Sequence, residues 1–438
     1  MLMIANSLAF VDRQILAFLI EPIQRDFNVS DTGMSLIYGF SFTLFYVAAG
    51  IPLAWLADRS NRRNIAAGSI LFWSLATSAC GLASSYVGLF VARIGVGAGE
   101  SGLGPASYSL LSDYFPREKL ATALGLYQAG IYVGGAIALI FGGLFAATIA
   151  PGDHMNLPLI GPTAGWQLIF LLLGIPGILL SLIVWLAVRE PLRKTPPPQI
   201  RAPIQGQEDI NAGAPAKGES FYDAFRQLNA HRRFYLGLIG GFTLLIFVGS
   251  GTAAWIPAFL AREYGMSLAD IGRYYGIIML ICGLSGCLVG GMLASAMRKG
   301  QLRHGNLVAP LIGSSCLIPC TIAFPLMPTA SLALAVIGAM NFFGGFNLGG
   351  GLASLLEMTP PRLRAQISMT YVIAVNVLGG TLGPLAIALM TDYVFQDPAD
   401  LGQAIAIICA IASPLAVIAI VSALRPMKTQ LAGMAAAT

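Results

Sequence analysis

Charge is what this sequence has least of. Only 10% of its 438 residues are Asp, Glu, Lys or Arg, 56% are hydrophobic, and the mean hydropathy is +0.75, whereas soluble domains carry about 25% charged residues. That shortage excludes an ordinary water-soluble globular fold. Histidine is scarce too: His154 and His304 fall between apolar stretches and His231 ends a polar segment. No base is therefore placed beside a nucleophile, and an enzyme is not expected. The six cysteines (Cys80, Cys282, Cys287, Cys316, Cys320 and Cys409) all sit inside apolar stretches, where thiols behave as small hydrophobes. Cys316 and Cys320 share a helical face, but no His or carboxylate is spaced to complete a ligand set, so neither a disulfide framework nor a metal site is expected. The first apolar stretch lacks a basic leader and a small-residue cleavage site, which argues against a cleaved signal peptide. No cofactor is implied.

What the sequence does have is a succession of apolar runs of about 20 residues, each long enough to cross roughly 30 Å of hydrocarbon. Twelve are legible, near 1–24, 34–57, 65–84, 87–113, 119–149, 166–188, 233–262, 270–297, 306–327, 330–358, 363–391 and 401–424. They define an all-α integral membrane protein with the bilayer as its solvent. The 51 glycines suit helices that approach closely in lipid. All but five of the 25 Lys and Arg fall after the second, fourth, sixth, eighth and tenth runs or in the tail; the exceptions are Arg25, Arg262 and Arg273 on the opposite side, and Arg13 and Arg93 inside runs. The positive-inside rule then predicts both termini in the cytoplasm, with the protein in a bacterial inner membrane. The net charge of +5 is therefore topological and implies no nucleic-acid partner. A monomer in the lipid bilayer is expected.

Four charges, Asp12, Arg13, Arg93 and Glu100, lie well inside the spans, where each costs about 2.5 to 3.5 kcal/mol on insertion scales and must face protein or water. Arg93 and Glu100 are seven residues apart in the fourth run, which the apolar pattern predicts as one helix from Gly88 to Tyr114. About 100° per residue returns them to one face, with Gly97 and Gly104 on the same stripe. Asp12 and Arg13 are adjacent in the first run, so they point about 100° apart and each should meet a different neighbour. Asp12 is the best titratable candidate in the chain. The plain alternative is that these charges are structural ion pairs; the functional reading is a substrate or proton site.

Two motifs give these features a family context. Gly50 to Arg63 reads GIPLAWLADRSNRR, placing Asp58, Arg59, Arg62 and Arg63 in a tight turn between two spans, and the fourth run contains Arg93-Ile-Gly-Val-Gly97-Ala-Gly99-Glu100. Together with twelve spans and a central basic segment, these resemble the major facilitator superfamily, whose loop after the second helix reads G-x-L-x-D-R-x-G-R-R/K. Ala54 and Asn61 stand where that pattern has glycines. The resemblance implies two pseudo-symmetric six-helix bundles of transmembrane helices, 1–188 and 233–424, joined by a linker at 189–232 and followed by a tail at 425–438. It also implies that the loop Asp and Arg pair with Asp113 at the end of the fourth helix, a conformational switch whose pairs form only when the cytoplasmic ends of the halves close. Helix-end capping is the plain alternative for Asp113. Antiporters of the superfamily often carry G-P-x-x-G-G in the fifth helix, and no proline stands among Gly130, Gly134 and Gly135.

The second half echoes the first. Gly291 to Lys299 is a decayed copy of the loop after the second span, with Ser295 at the Asp position, and Glu357-Met-Thr-Pro360-Pro-Arg362 echoes Asp113-Tyr-Phe-Pro116-Arg117. The intramembrane charges are not copied: where the fourth run has Arg and Glu, the tenth has Asn341-Phe342-Phe343-Gly-Gly-Phe346-Asn347. A cavity between the halves should be polar on one wall and apolar on the other, with Asn376 of the eleventh run nearby, and would suit an amphipathic ligand. Phe221, Phe225 and Leu228 fall at helical spacing, as in a short amphipathic helix on the membrane surface. Trp166 begins the sixth run where an interfacial aromatic belongs.

Phe10-Val-Asp12-Arg13-Gln-Ile-Leu and Gly97-Ala-Gly-Glu100 look like the Spinster branch of the superfamily, in a bacterial form. That resemblance implies proton-coupled carriage of a lysophospholipid or sphingolipid-like substrate by alternating access. Asp12 and Glu100 would be the protonation sites, the proton the coupling ion, and Arg13 and Arg93 the charge partners or headgroup ligands. A proton-coupled symporter of organic anions such as sugar acids or aromatic acids is the alternative. A multidrug efflux carrier or a lipid scramblase is less favoured.

Overall fold

The computed structural model describes every residue except 149–153, 158–160, 192–220, 300–304, 348–349, 361–362 and 437–438, and leaves the side chains of some others undescribed, among them Asp58 and 117–122. Most of the expected linker thus lies outside the described residues. Among the described residues the chain forms twelve long helical runs, numbered in order.

Helix α1 (2–27) is two pieces, Leu2–Phe18 and Ile20–Phe27, meeting at 54°. Pro22 accounts for the bend, because it has no N–H and its ring would strike the Phe18 carbonyl one turn back. Helix α2 (31–59) starts where the Ser30 hydroxyl accepts from the Gly33 amide at 3.3 Å, and it widens to a π turn at Leu36–Phe40. Asn61 caps α3 (Arg62–Gly81) by accepting from the Asn64 amide at 3.0 Å. Helix α4 (86–114) corrects the expectation of one continuous helix: it divides at Ser101 and Gly102 into Tyr86–Glu100 and Leu103–Tyr114. Pro105 would clash with the Ser101 carbonyl in an unbroken helix. Arg93 and Glu100 both stay on the first piece.

Helices α5 (Arg117–Thr148) and α6 (Gly165–Ala187) follow, and between them His154–Leu157 pairs antiparallel with Gly161–Ala164, a small hairpin where the sequence suggested a plain loop. A short helix, Phe221–Ala230, leads into α7 (Arg232–Tyr264). Its Phe225 is exposed and Leu228 packs on the second bundle's core, as an amphipathic surface helix requires; the Phe221 side chain is outside the described residues. The remaining runs are α8 (268–299), α9 (Gly305–Ala323), α10 (330–358), α11 (364–395) and α12 (Leu401–Ala436). Among the described residues, nine helices are long and apolar enough to cross a membrane, and bent α1 is a tenth. Helices α3 and α4 fall short by that measure, the one beginning Arg62-Arg63-Asn64 and the other being cut in two.

Packing repeats between the halves. In the first bundle α1 packs on α5, α2 on α4 and α3 on α6; in the second, α7 packs on α11, α8 on α10 and α9 on α12. The same shift of six helices relates the two main contacts between bundles, α2 with α11 and α8 with α5. At the α5–α8 crossing the backbones nearly touch, for a Cβ on Gly143 would lie 2.9 Å from the Gly272 Cα. Large apolar side chains such as Phe72, Leu126, Leu186 and Leu236 cover the outside, an area that only lipid can solvate at low cost. Trp166 departs from expectation: it is buried, and its indole N–H donates to Asp26 at 2.6 Å, so it pins α6 to α1 rather than facing lipid.

The two ends of the molecule differ. Arg59, Arg62, Arg63, Arg189, Arg232 and Arg233 mark a basic end, while Glu21, Asp26, Asp31, Asp392, Asp397 and Asp400 mark the opposite, acidic end. Among the described residues, every side-chain hydrogen bond and ion pair that crosses between the bundles lies at the acidic end. That end is closed.

Candidate functional site

The four intramembrane charges come together in the first bundle, from α1 and α4. Arg13 donates from Nε and Nη2 to the same oxygen of Glu100, Oε2, at 2.9 and 2.7 Å. Its guanidinium lies over the rings of Phe10, Phe42 and Tyr46, 4.6 to 5.1 Å from their centroids. The Arg13 side chain is 28% exposed and that of Glu100 is 1% exposed, so the arginine is the accessible member of the pair. Arg93 is buried; its Nη1 donates to the Asp12 backbone carbonyl at 3.4 Å and it also faces the Phe42 ring. Gly97 lets this happen, because any side chain there would run into the Phe42 backbone.

Arg93 and Glu100 share a face as the spacing requires, but each turns to α1 rather than to the other. No ion pair of Asp12 with either arginine is formed among the described residues. Asp12 Oδ1, Arg93 Nε and Glu100 Oε1 are all buried without a hydrogen-bond partner, and the Thr77 hydroxyl of α3 lies beside Asp12. Leaving such groups unpaired costs about 1 to 3 kcal/mol each, more when charged. A carboxylate in this setting has capacity left for a proton or a ligand, and one that exchanges partners between two states can take up a proton in one and release it in the other.

The residues expected to form a conformational switch gather only in part. Arg62 is buried and donates to Asp113 and to Glu190, the latter at 2.7 Å, and also to the Ser109 hydroxyl at 3.0 Å. The described partners of Arg62 lie in the first bundle or just past its last helix, so the described pairs form without a contact to the second half. Glu190 was missed in the sequence, although an acid at the end of the sixth span beside a basic loop is a signal of this kind; its second oxygen accepts from the Arg63 amide at 3.0 Å. Arg59 instead stacks 4.1 Å over Trp55, and the Arg63 side chain donates to Asn64. The Asp58 side chain lies outside the described residues.

On the other wall, Phe342, Phe343 and Phe346 of α10 pack edge to face with centroids 5.3 to 6.0 Å apart. Phe346 is buried against Gly290 and Gly313 and serves as a packing knob, so it does not line a cavity as expected; Phe342 and Phe343 are half-buried. Asn341 and Asn376 each donate from the side-chain amide to a carbonyl one turn back in their own helices, both at 2.9 Å. A crevice of about 550 Å³ between α2, α3 and α4, lined by Leu53, Leu56, Ile65 and Phe72, opens on the outer flank and contains none of the four charges.

Two pseudo-repeated six-helix bundles, closed at one end and holding buried charges at mid-depth, define a secondary transporter. Residues 2–384 match the Major Facilitator Superfamily, and the chain belongs to that superfamily. The fold is shared with a bacterial homologue of the human lysosomal transporter Spinster, solved inward-facing and unoccupied, with a TM-score of 0.70, 29% identity and coverage of 98% of this chain and 94% of that one. An MFS-type efflux pump of Mycolicibacterium smegmatis is 25% identical over 90% of this chain and 84% of its own length. The cis,cis-muconate transport protein of Acinetobacter baylyi is 28% identical over 87% of this chain and 84% of its own. The chain is a membrane transporter of that superfamily, similar over nearly its whole length to transporters of the Spinster type, and its relatives are transporters rather than enzymes.

Proposed function

We propose that this protein is a proton-coupled carrier of a single-chain amphipathic lipid, such as a lysophospholipid or a sphingolipid-like molecule, working by alternating access. The observation that carries the reading is the pair of buried carboxylates, Asp12 and Glu100, each with an oxygen lacking a hydrogen-bond partner beside two arginines. The basic end is taken as cytoplasmic, which makes the state described here inward-facing. Arg13 is the headgroup ligand, because it is the more accessible arginine and its planar fork can donate two hydrogen bonds to a phosphate. The tail lies along α10 by Phe342 and Phe343. No cofactor is required beyond the proton.

At a fixed headgroup, affinity should climb with chain length by up to about fourfold per methylene, since a buried CH₂ contributes roughly 0.8 kcal/mol. Arg13→Ala should flatten discrimination between headgroups while keeping that slope, and Phe342→Ala should reduce the slope while keeping the discrimination. A binding series read by tryptophan fluorescence or calorimetry checks both, and flat affinity from short to long chains contradicts the lipid assignment. Likeness to the muconate transporter supports a second reading, in which the same arginines meet the carboxylate of a small organic acid. Displacement by hexuronates at lower concentration than by lysolipids would favour it.

A further inference from the structure

Arg262 is one of the few cations on the acidic side of the molecule, where the charge bias of the chain gives it no topological purpose. It ends α7, in the second bundle, yet three of its four side-chain partners belong to the first. Nε donates to Glu21 at 2.5 Å, Nη1 and Nη2 donate to the two oxygens of Asp31 at 2.8 Å each, and Nη2 donates to Gln24 at 3.0 Å. The fourth, the Pro398 carbonyl of its own bundle, accepts from Nη1 at 3.4 Å, and the guanidinium faces Trp255 at 5.8 Å. Gln24 donates in turn to Asp31 at 2.7 Å, which leaves that carboxylate, 3% exposed, enclosed by donors. Beside this cluster the Thr32 amide and hydroxyl donate to Asp392 of α11 at 2.7 and 2.6 Å, and Ser35 donates to the Pro384 carbonyl at 3.1 Å.

We infer that Arg262 is the central residue of an ionic lock that holds the acidic end closed, and that the transporter must break it to open toward that side. A bidentate arginine between two rigid bundles favours one of two discrete arrangements, so it shifts their populations by its differential contacts. Without it, Asp31 and, across the seam, Asp392 would have no cation between them, and Glu21 would keep only the exposed Arg25 at 3.9 Å. Glu21 and Gln24 lie beyond the Pro22 bend on the same helix as Asp12 and Arg13, so a displacement of α1 at the charge site reaches the lock through one element. The inference rests on alternating access alone and not on the identity of the substrate.

The test uses the full-length protein in nanodiscs, with the half-buried cysteines Cys282, Cys287, Cys316 and Cys320 replaced and spin labels placed on exposed positions. One pair, Arg25 and Ala399, spans the acidic end; the other, Ser112 and Thr370, spans the basic end. Arg262→Ala should raise the ratio of long to short distances at the acidic end about tenfold, as loss of about 1.4 kcal/mol would, and shorten the basic-end distance at the same time. The charge exchange Arg262→Asp with Asp31→Arg should return both distributions toward those of the parent. Unchanged distributions in Arg262→Ala would overturn the inference. So would broadening at the acidic end without shortening at the basic end, because that is local loosening and not a lock.

Discussion

Proteoliposomes containing Asp12→Asn are expected to show no substrate uptake above background when a pH gradient is imposed, while still exchanging labelled for unlabelled substrate at equal pH. Asparagine has nearly the shape of aspartic acid but cannot bind or release a proton. If Asp12 carries the coupling proton, its replacement removes the link to the gradient and leaves binding and the conformational cycle in place. Asp12 is buried, its Oδ1 has no hydrogen-bond partner, and Arg93 meets its backbone carbonyl rather than its carboxylate. Glu100→Gln should behave in the same way, although the lost Arg13 pair would also weaken binding. Both measurements are initial rates of uptake with and without the gradient. Normal gradient-driven uptake in Asp12→Asn would remove that residue from the proton path.

Arg13→Ala is expected to cost about 3 to 5 kcal/mol in stability, and Glu100→Gln in the same chain is expected to recover most of it. The reason is that Glu100 is 1% exposed and depends on Arg13 for the two hydrogen bonds to Oε2, and removing one partner of a buried pair leaves the acid either poorly paired or forced to take up a proton. Arg13 also stacks on Phe10, Phe42 and Tyr46, so alanine loses packing as well as charge. Thermal unfolding followed by size-exclusion fluorescence gives the order of stabilities: parent first, double variant close behind, Arg13→Ala last. If the double variant is no more stable than Arg13→Ala, the ion pair is not what holds α1 to α4. Binding should not recover with stability, because the double variant lacks the headgroup arginine.

The architecture was legible because the bilayer imposes strong rules on composition. Apolar runs of about 20 residues and a one-sided distribution of Lys and Arg are written locally in the chain, and the two motifs, after the second span and in the fourth, carried the family. The breaks were also present in local sequence: Pro22 divides α1 and Pro105 divides α4, and the i−4 clash of proline could have placed both. What local sequence does not contain is the choice of partner. That Arg13 meets Glu100, 87 positions away, depends on how α1 packs on α4, and neither spacing nor hydropathy fixes that. Likewise the face of α10 is ambiguous from sequence, since both sides are apolar, and only packing against Gly290 and Gly313 shows that Phe346 points inward. The aromatic cage of Arg13 did leave a trace, Phe42 and Tyr46 being one turn apart on one helix. Arg262 left one as well, as a cation on the side where the charge bias does not call for one.

The most direct measurement is proton movement during substrate entry. Purified protein is reconstituted into vesicles holding a pH-sensitive dye, with no initial pH gradient, and a lysolipid is added outside. A coupled carrier predicts a change in internal pH that starts with substrate addition, scales with substrate concentration, is absent from protein-free vesicles and is lost in Asp12→Asn. Substrate accumulating inside at an unchanged internal pH would contradict the account and leave a passive carrier or scramblase in its place.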